Sequence, residues 1–464
     1  MKRKFKLILL LGLTLSCGRF VTADEPRGGS KPEPIPLTRD DMKRALDASK
    51  QSVPRLPLPP VTDEEKALIE EQKAQAAKTG EPARRLGLAN NGRMRAYYLA
   101  EYGYERSGDI TRARTGATRD SDSSFDPSFR TMLFWIISRG NNCTYCLGHQ
   151  ESGLASRGMT DDQLAALDGD WSEFDEAKRA AFAFATKLSF QPYAIDNQDF
   201  AALRKHYNEL QVTEIVNAVG GFNATNRWTG PLRIKQDVSF QFVRPTSPKY
   251  SSIVSLVAPA DTNAIDKGFA APRSRRRPPL ESQAEVEAAL AAARTRTPRL
   301  KLATEAETKA VLKEESADMA RMQWVRLLAT LPKSGTDRIT SYKAVLEKGT
   351  VEPRTKAIIA YVGARHDRAW YALGHAIQRL KSNGFSGTQI IALDQPEKLA
   401  SPVDREVVQF ARKITVDPAL IDDDDFARMR KLFDDKQVAE VVYLTTQAAF
   451  FDRLTEAARL QLEN

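Results

Sequence analysis

The chain is 464 residues long, 42% hydrophobic and 28% charged, with a formal net charge of +9. Such a length predicts two domains and linkers, and such a composition excludes disordered, collagenous and disulfide-dense chains. Nucleic acid is not an expected partner: Lys2, Arg3, Lys4, Lys6 and Arg19 precede the first acidic residue, Asp24, and the tight basic cluster further on is only Arg273, Arg275, Arg276 and Arg277.

Residues 1–23 combine a basic start, an apolar run from Leu7 to Leu15, and Val21-Thr22-Ala23 before Asp24. This pattern predicts a signal peptide cleaved near Ala23 and an exported protein, periplasmic or extracellular. A lipoprotein reading at Cys17 is weaker, because Thr14 stands where a lipobox carries an aliphatic residue. Residues 24–40 are polar and rich in Pro and Gly, so they are expected to form a disordered lead.

Helical patterns begin at Asp41. The tract Pro54 to Pro60 is expected to be extended, because its prolines forbid a helix. Thr62 then caps a new helix, with Glu65 completing a capping box. A further helix runs near Met94 to Tyr102, and Glu105 to Ser124 reads as a long solvated loop, with a substrate lid as the second reading.

From Pro127 the signal strengthens. Phe129, Met132, Leu133 and Ile136 line one helical face, and Gly140 can end that helix. Asn141 or Asn142 can cap the next one, which puts Cys143 in its first turn. Two more amphipathic helices follow, marked by Phe184, Ala185 and Leu188 and by Val212, Ile215, Val216 and Val219. Strand-like alternation is limited to Ser239 to Val243 and Ile253 to Val257, so the fold class is all-α.

A second copy follows 226 residues on, without gaps: Tyr145-Cys146-Leu147-Gly148-His149 matches Tyr371-Ala372-Leu373-Gly374-His375, and Asn226-Arg227 matches Asp452-Arg453. Before the long loop the offset is 244, as in Pro54-Arg55-Leu56 against Pro298-Arg299-Leu300. The expected organisation is a tandem duplication: one domain over 41–244, a Pro/Arg-rich linker over 245–282, and a second domain over 283–464.

Cys143 and Cys146 are two of only 3 cysteines, and the second copy has Ala369 and Ala372 in their places. A scaffold that stands without the thiols argues for chemistry at the thiols. Two cysteines three apart at a helix start lie on nearly one face. Free N–H groups and the helix dipole stabilise a thiolate there, which favours Cys143 as the more acidic thiol. His149 shares the face and could move protons. The competing readings are a static disulfide and a zinc site using Cys143, Cys146 and His149 with a fourth ligand from His206, His366 or His375. Covalent haem is excluded, because Leu147 stands where C-x-x-C-H requires histidine. His206 and His366 read as surface residues and His375 as packed or capped. Trp135 and Tyr145 read as core, and Asn226-Arg227 and Asp452-Arg453 as structural salt bridges or caps.

The helix Arg130 to Arg139 followed by Asn142-Cys143-Thr144-Tyr145-Cys146-Leu147-Gly148-His149 resembles the carboxymuconolactone decarboxylase/alkylhydroperoxidase D (AhpD)-like family, over roughly 53–232 and 297–458. The resemblance implies two tandem all-helical AhpD-like domains, the second with a degenerate motif, and a homo-oligomer. It implies a peroxidatic and a resolving thiol, with Cys146 as the peroxide-reactive one. The implied partners are a hydroperoxide or disulfide substrate and an external thiol reductant; no cofactor or metal is expected. The family usually carries a glutamate twelve residues before the first cysteine and a histidine four after the second. Here those positions are Thr131 and Gln150, so the usual proton relay is altered. The expected function is an exported thiol–disulfide oxidoreductase of alkylhydroperoxidase or peroxiredoxin-like activity, with Cys143, Cys146 and His149 as catalytic residues. A non-enzymatic protein with a structural disulfide and a lactone decarboxylase-type enzyme are the competing expectations.

Overall fold

Side-chain caps and apolar stripes set the helices. The structure, a computed structural model, describes residues 33–80, 86–104, 123–242, 244, 246–251, 253–258, 277–312, 318–331 and 333–463. The expected signal peptide with Cys17, most of the lead, the long loop up to 122, and Arg273 to Arg276 lie outside the described residues. Among the described residues there is no β-strand. The stretch at Ser239 is irregular, and Val254 makes a single bridge to Thr38, so neither alternating segment builds a sheet. Neither has a neighbouring strand to complete a ladder.

The first half opens with α1 (Arg39–Ala48), whose N-cap Thr38 accepts from the Asp41 amide. The helix therefore begins inside the stretch expected to be a disordered lead. That stretch is also tied down: the Pro36 carbonyl accepts from Arg139 and the Leu37 carbonyl from the Ser255 amide. In α2 (Asp63–Thr79), Thr62 accepts from the Glu65 amide as expected. The capping box is not completed, because the Glu65 carboxylate turns to the Leu88 amide and Arg93. Then come α3 (Asn90–Leu99), α4 (Pro127–Gly140), α5 (Thr144–Ala155), α6 (Asp161–Ala166), α7 (Glu176–Phe190), α8 (Asn197–Arg204) and α9 (Glu209–Thr229). In α4, Asp126 caps the first turn and Phe129, Met132, Leu133 and Ile136 are all buried, as their spacing predicts.

After α10 (Pro248–Ser251), the second half contributes α11 (Gln283–Ala293), α12 (Glu305–Leu312), α13 (Gln323–Leu328) and α14 (Ser334–Glu347). It continues with α15 (Pro353–Asp367), α16 (Trp370–Ser382), α17 (Gly387–Ala392), α18 (Pro402–Val416), α19 (Asp423–Arg430) and α20 (Asp435–Ala457). From α4 onward each helix of the first half, α10 aside, has a counterpart starting 226 residues later. Backbone conformations recur with the same offset: Asn142 and Arg368 have φ of 51° and 52°, and Arg233 and Arg459 have φ of 48° and 52°.

The halves meet along the long helices α9 and α20. Gly220 makes the close approach, since a Cβ there would lie 3.2 Å from the Phe450 ring. The contacts around this axis are reciprocal. Arg55 Nε donates to Asp423 at 2.8 Å, and Arg299 Nε donates to Asn197 at 2.9 Å. The Arg55 amide donates to the Leu232 carbonyl and the Arg299 amide to the Ala458 carbonyl. Arg55 lies in the proline tract that sequence marks as extended, and Arg299 is its equivalent at the 244-residue offset.

The described parts of the expected linker are docked. Ser255 bonds to the buried Asp168 of the first half, and Glu281 pairs with Arg365 and Arg368 of the second.

Candidate functional site

α4 and α5 are joined by three residues, Asn141, Asn142 and Cys143. Asn142 adopts the left-handed conformation there (φ 51°), which asparagine tolerates better than most residues. The turn lets the Cys143 amide donate back to the Ser138 carbonyl at 2.9 Å. Cys143 is thereby the N-cap of α5, not a member of its first turn. Its Sγ accepts from the Cys146 amide at 3.4 Å. Both sulfurs are buried, 1% and 3% exposed, and both are unbonded thiols.

The sulfurs share one hydroxyl. Thr229 Oγ1, at the end of α9, lies 3.0 Å from Cys143 Sγ and 2.9 Å from Cys146 Sγ. It also donates to the Thr225 carbonyl at 3.0 Å. A hydroxyl has one proton and two lone pairs. With both thiols protonated it can receive from them. With one thiol ionised it can turn its proton to that sulfur.

The environment separates the two thiols. Burial pushes Cys143 well up, and its hydrogen bond to Cys146 and the charge of Cys146 push the same way. At Cys146 burial also pushes up. Hydrogen bonds with Cys143, Thr229 and Asn226 and the positive charge of Arg95 outweigh it, and the thiol is held below its ordinary value. The helix-dipole expectation for Cys143 is thus overturned: as the cap, its sulfur has one helix amide, whereas Cys146 is met by side chains from α9 and a cation from α3.

His149 does not complete a thiol site. Its Nε2 lies 2.8 Å from Asp237 Oδ2, and its ring packs on Tyr145 and edge-on to Phe240. Neither sulfur bonds to it. The same grouping stands in the thiol-free half. His375 Nε2 lies 3.1 Å from Glu463, and the Tyr371 hydroxyl donates to Glu463 at 2.8 Å. His375 is packed on the Tyr371 ring, as expected from sequence, and shares a hydrogen bond with Glu463. His206 is exposed, as expected. His366 is not a surface residue: it is largely enclosed, and burial, then Arg412 and Arg277, push its imidazole down to about 3. Among the described residues, no three His, Cys, Asp or Glu side chains are grouped to hold a metal ion. Thr131 donates its hydroxyl to the Pro127 carbonyl of its own helix.

Two residues at the thiols, Thr229 and Arg95, and one further along α5, Glu151, have no motif to announce them. Thr229 follows Asn226-Arg227 and recurs as Thr455, so the internal repeat was the available signal. Arg95 is buried over the rings of Trp228 and Tyr443. Glu151 is buried on α5, receives Arg39 through two hydrogen bonds at 2.7 and 2.5 Å, and accepts from Trp135 Nε1. A buried guanidinium needs such a partner, because an unpaired one costs several kcal/mol, roughly 3–5. Glu151, His149, Ser152, Phe240 and Phe242 line a cleft of about 640 Å³ beside α5. The equivalent of Glu151 in the second half is Ile377, so this polar wall belongs to the thiol-bearing half.

No family model matches the chain. It is similar to the uncharacterized protein YnjA of Escherichia coli (strain K12), with 25% identity over 115 residues, 24% of this chain and 63% of YnjA. It is also similar to the uncharacterized protein YdfG of Bacillus subtilis (strain 168), with 24% identity over 109 residues, 23% of this chain and 74% of YdfG. The match thus spans less than two thirds of YnjA.

Proposed function

We propose that this chain is an exported thiol–disulfide oxidoreductase with alkylhydroperoxidase-like activity, in which Cys146 reacts and Cys143 resolves. The observation that carries the reading is the shared Thr229 hydroxyl, 3.0 and 2.9 Å from two unbonded sulfurs whose acidities differ in opposite directions. A lowered thiol supplies the nucleophile, and a neighbouring protonated thiol supplies the resolving group.

In the first step the Cys146 thiolate attacks the terminal oxygen of a hydroperoxide. An S–O bond forms, the O–O bond breaks, and the alkoxide takes a proton from solvent water to leave as an alcohol. In the second, the Cys143 sulfur attacks Cys146. The S–S bond forms, the S–O bond breaks, and hydroxide leaves as water with the Cys143 proton. An external dithiol then reduces the disulfide and is itself oxidised. His149 is given no part in these steps: its ring lies beside Asp237, Tyr145 and Phe240, and neither sulfur bonds to it. The AhpD-like resemblance, the origin of the halves by duplication, signal-peptide cleavage near Ala23 and homo-oligomeric assembly belong to the same proposal.

The near-complete burial of both sulfurs favours a second reading, a non-enzymatic protein with a structural disulfide. The reduction potential of the pair separates the two. A value of about −270 to −120 mV, with Cys146 trapped below pH 7, supports the oxidoreductase. A value below about −300 mV, with trapping only after denaturation, overturns it.

A further inference from the structure

The thiol-free half reaches the thiol site through two buried arginines. Arg227 Nη2, on α9, donates to the Thr415 carbonyl of α18 at 3.2 Å. Arg453 Nη2, on α20, donates to the Ser189 carbonyl of α7 at 2.7 Å. Ser189 and Thr415, like Arg227 and Arg453, stand 226 positions apart, so the crossing is built twice.

The groups behind the two arginines differ. In the thiol-bearing half they form a relay of buried amides. Asn223 Oδ1 accepts from Arg227 at 3.0 Å and from Asn141 at 3.1 Å, while its Nδ2 donates to Ser189 Oγ at 2.8 Å. Asn141 Nδ2 also donates to Asn226 Oδ1 at 3.1 Å, which leaves Asn226 Nδ2 to donate to Ser138 Oγ at 3.2 Å; Asn226 lies one turn of α9 before Thr229, whose hydroxyl lies 2.9 Å from the Cys146 sulfur. In the second half the same positions hold Asp367, Ala449 and Asp452. There Arg453 pairs directly with Asp367 at 2.8 Å, joined by Arg277 at 2.6 Å.

This contrast has an electrostatic reason. An amide donates N–H to an ionised sulfur and adds no charge, whereas a carboxylate at the same distance repels it. Buried polar groups must also be mutually satisfied to hold one orientation, and an amide that flips presents its oxygen to the sulfur. Arg227 fixes the direction of the relay, since a guanidinium only donates and so draws the side-chain oxygens of Asn223 and Asn141 toward itself.

We infer that the thiol-free half is a positioning half: Arg453 and the Thr415 carbonyl hold, across the α9–α20 contact, the Asn223–Asn141–Asn226 relay that turns an N–H toward Cys146. This deepens the reading of Cys146 as the reacting thiol and rests on it. None of these residues touches substrate; they are positioning residues. Arg95 is a cation that Cys146 feels, and it approaches from α3.

The test is the pH dependence of Cys146 alkylation by iodoacetamide in the full-length chain, read peptide by peptide by mass spectrometry, with thermal unfolding recorded for each variant. Asn226→Asp, Ser189→Ala and Arg453→Met are each expected to move the Cys146 midpoint upward, by about half to one pH unit, as loss of one hydrogen bond implies. Arg453→Lys, which retains one donor, should recover part of the shift. Midpoints unchanged from the parent in folded Asn226→Asp and Ser189→Ala would overturn the inference. If Arg453→Met does not fold, these two and Arg453→Lys decide the matter. The readout needs no peroxide turnover: a shifted midpoint without peroxidase activity leaves the relay standing and removes the proposed reaction, and the converse result does the opposite.

Discussion

His149 Nε2 lies 2.8 Å from Asp237 Oδ2, and the same histidine–carboxylate pairing recurs at His375 and Glu463 in the half that has no thiols. A histidine–carboxylate pair present with and without sulfur is a fastening of the segment that follows the last long helix. His149→Gln is therefore expected to leave the pH midpoint of Cys146 alkylation unchanged. Loss of the pair should instead lower stability by about 1 kcal/mol, measured by urea unfolding. A large upward move of the midpoint would restore His149 to the chemistry.

The two thiols differ in the sign of their perturbation. Cys146 is lowered and Cys143 raised, so the thiolate share at Cys146 climbs first as pH rises. In Cys143→Ser, Cys146 should still alkylate at a pH below the ordinary thiol range. The midpoint should move up somewhat, because the Cys143 thiol is one of its donors. In Cys146→Ser, Cys143 should resist alkylation until the chain is unfolded. Competitive labelling of the two variants checks the order, and the reverse order would disprove the assignment.

Thr229 serves both sulfurs. Thr229→Val keeps the shape and removes the hydroxyl. A hydrogen bond to a charged group contributes roughly 1.5–3 kcal/mol, and a pKa unit corresponds to about 1.4 kcal/mol. The Cys146 midpoint should therefore rise by about one to two units. Ultraviolet absorbance of the thiolate across a pH series measures it.

His366 gives the fold an acid-sensitive group outside the thiol site. Burial, then Arg412 and Arg277, bring its pKa down to about 3 from an ordinary 6.5. Below pH 6.5 the unfolded chain binds a proton that the folded chain refuses. Stability present above pH 6.5 is therefore lost as pH falls toward 3, at up to about 1.4 kcal/mol per unit. His366→Gln should flatten the decline between pH 6.5 and 5, before the carboxylates titrate. Urea midpoints at pH 7 and 5 for parent and variant provide the comparison.

Much of the architecture was legible because it is local. The α4 stripe at Phe129, Met132, Leu133 and Ile136, the cap at Thr62 and the proline tract at 54–60 depend on neighbours in sequence, and each lies where its pattern places it. The failures were local signals overruled by distant partners. Glu65 left its capping box for Arg93, and the lead at Pro36 to Arg39 is held by Arg139, Ser255 and Glu151. The charged neighbours of His366 suggest a surface position, but burial and the distant Arg412 and Arg277 set its environment in the fold.

The sequence by itself determined the all-α class, the 226-residue recurrence of helices, and two thiols three residues apart at a helix start. Helix periodicity, capping and spacing are properties of a few consecutive residues. Only the tertiary structure decided which sulfur ionises first, that His149 faces Asp237, and that Arg227 and Arg453 cross between the halves. The physical reason is that a buried group takes its charge state and orientation from whatever polar atoms reach it. At Cys146 those atoms come from Thr229, Asn226 and Arg95, brought in by two other helices.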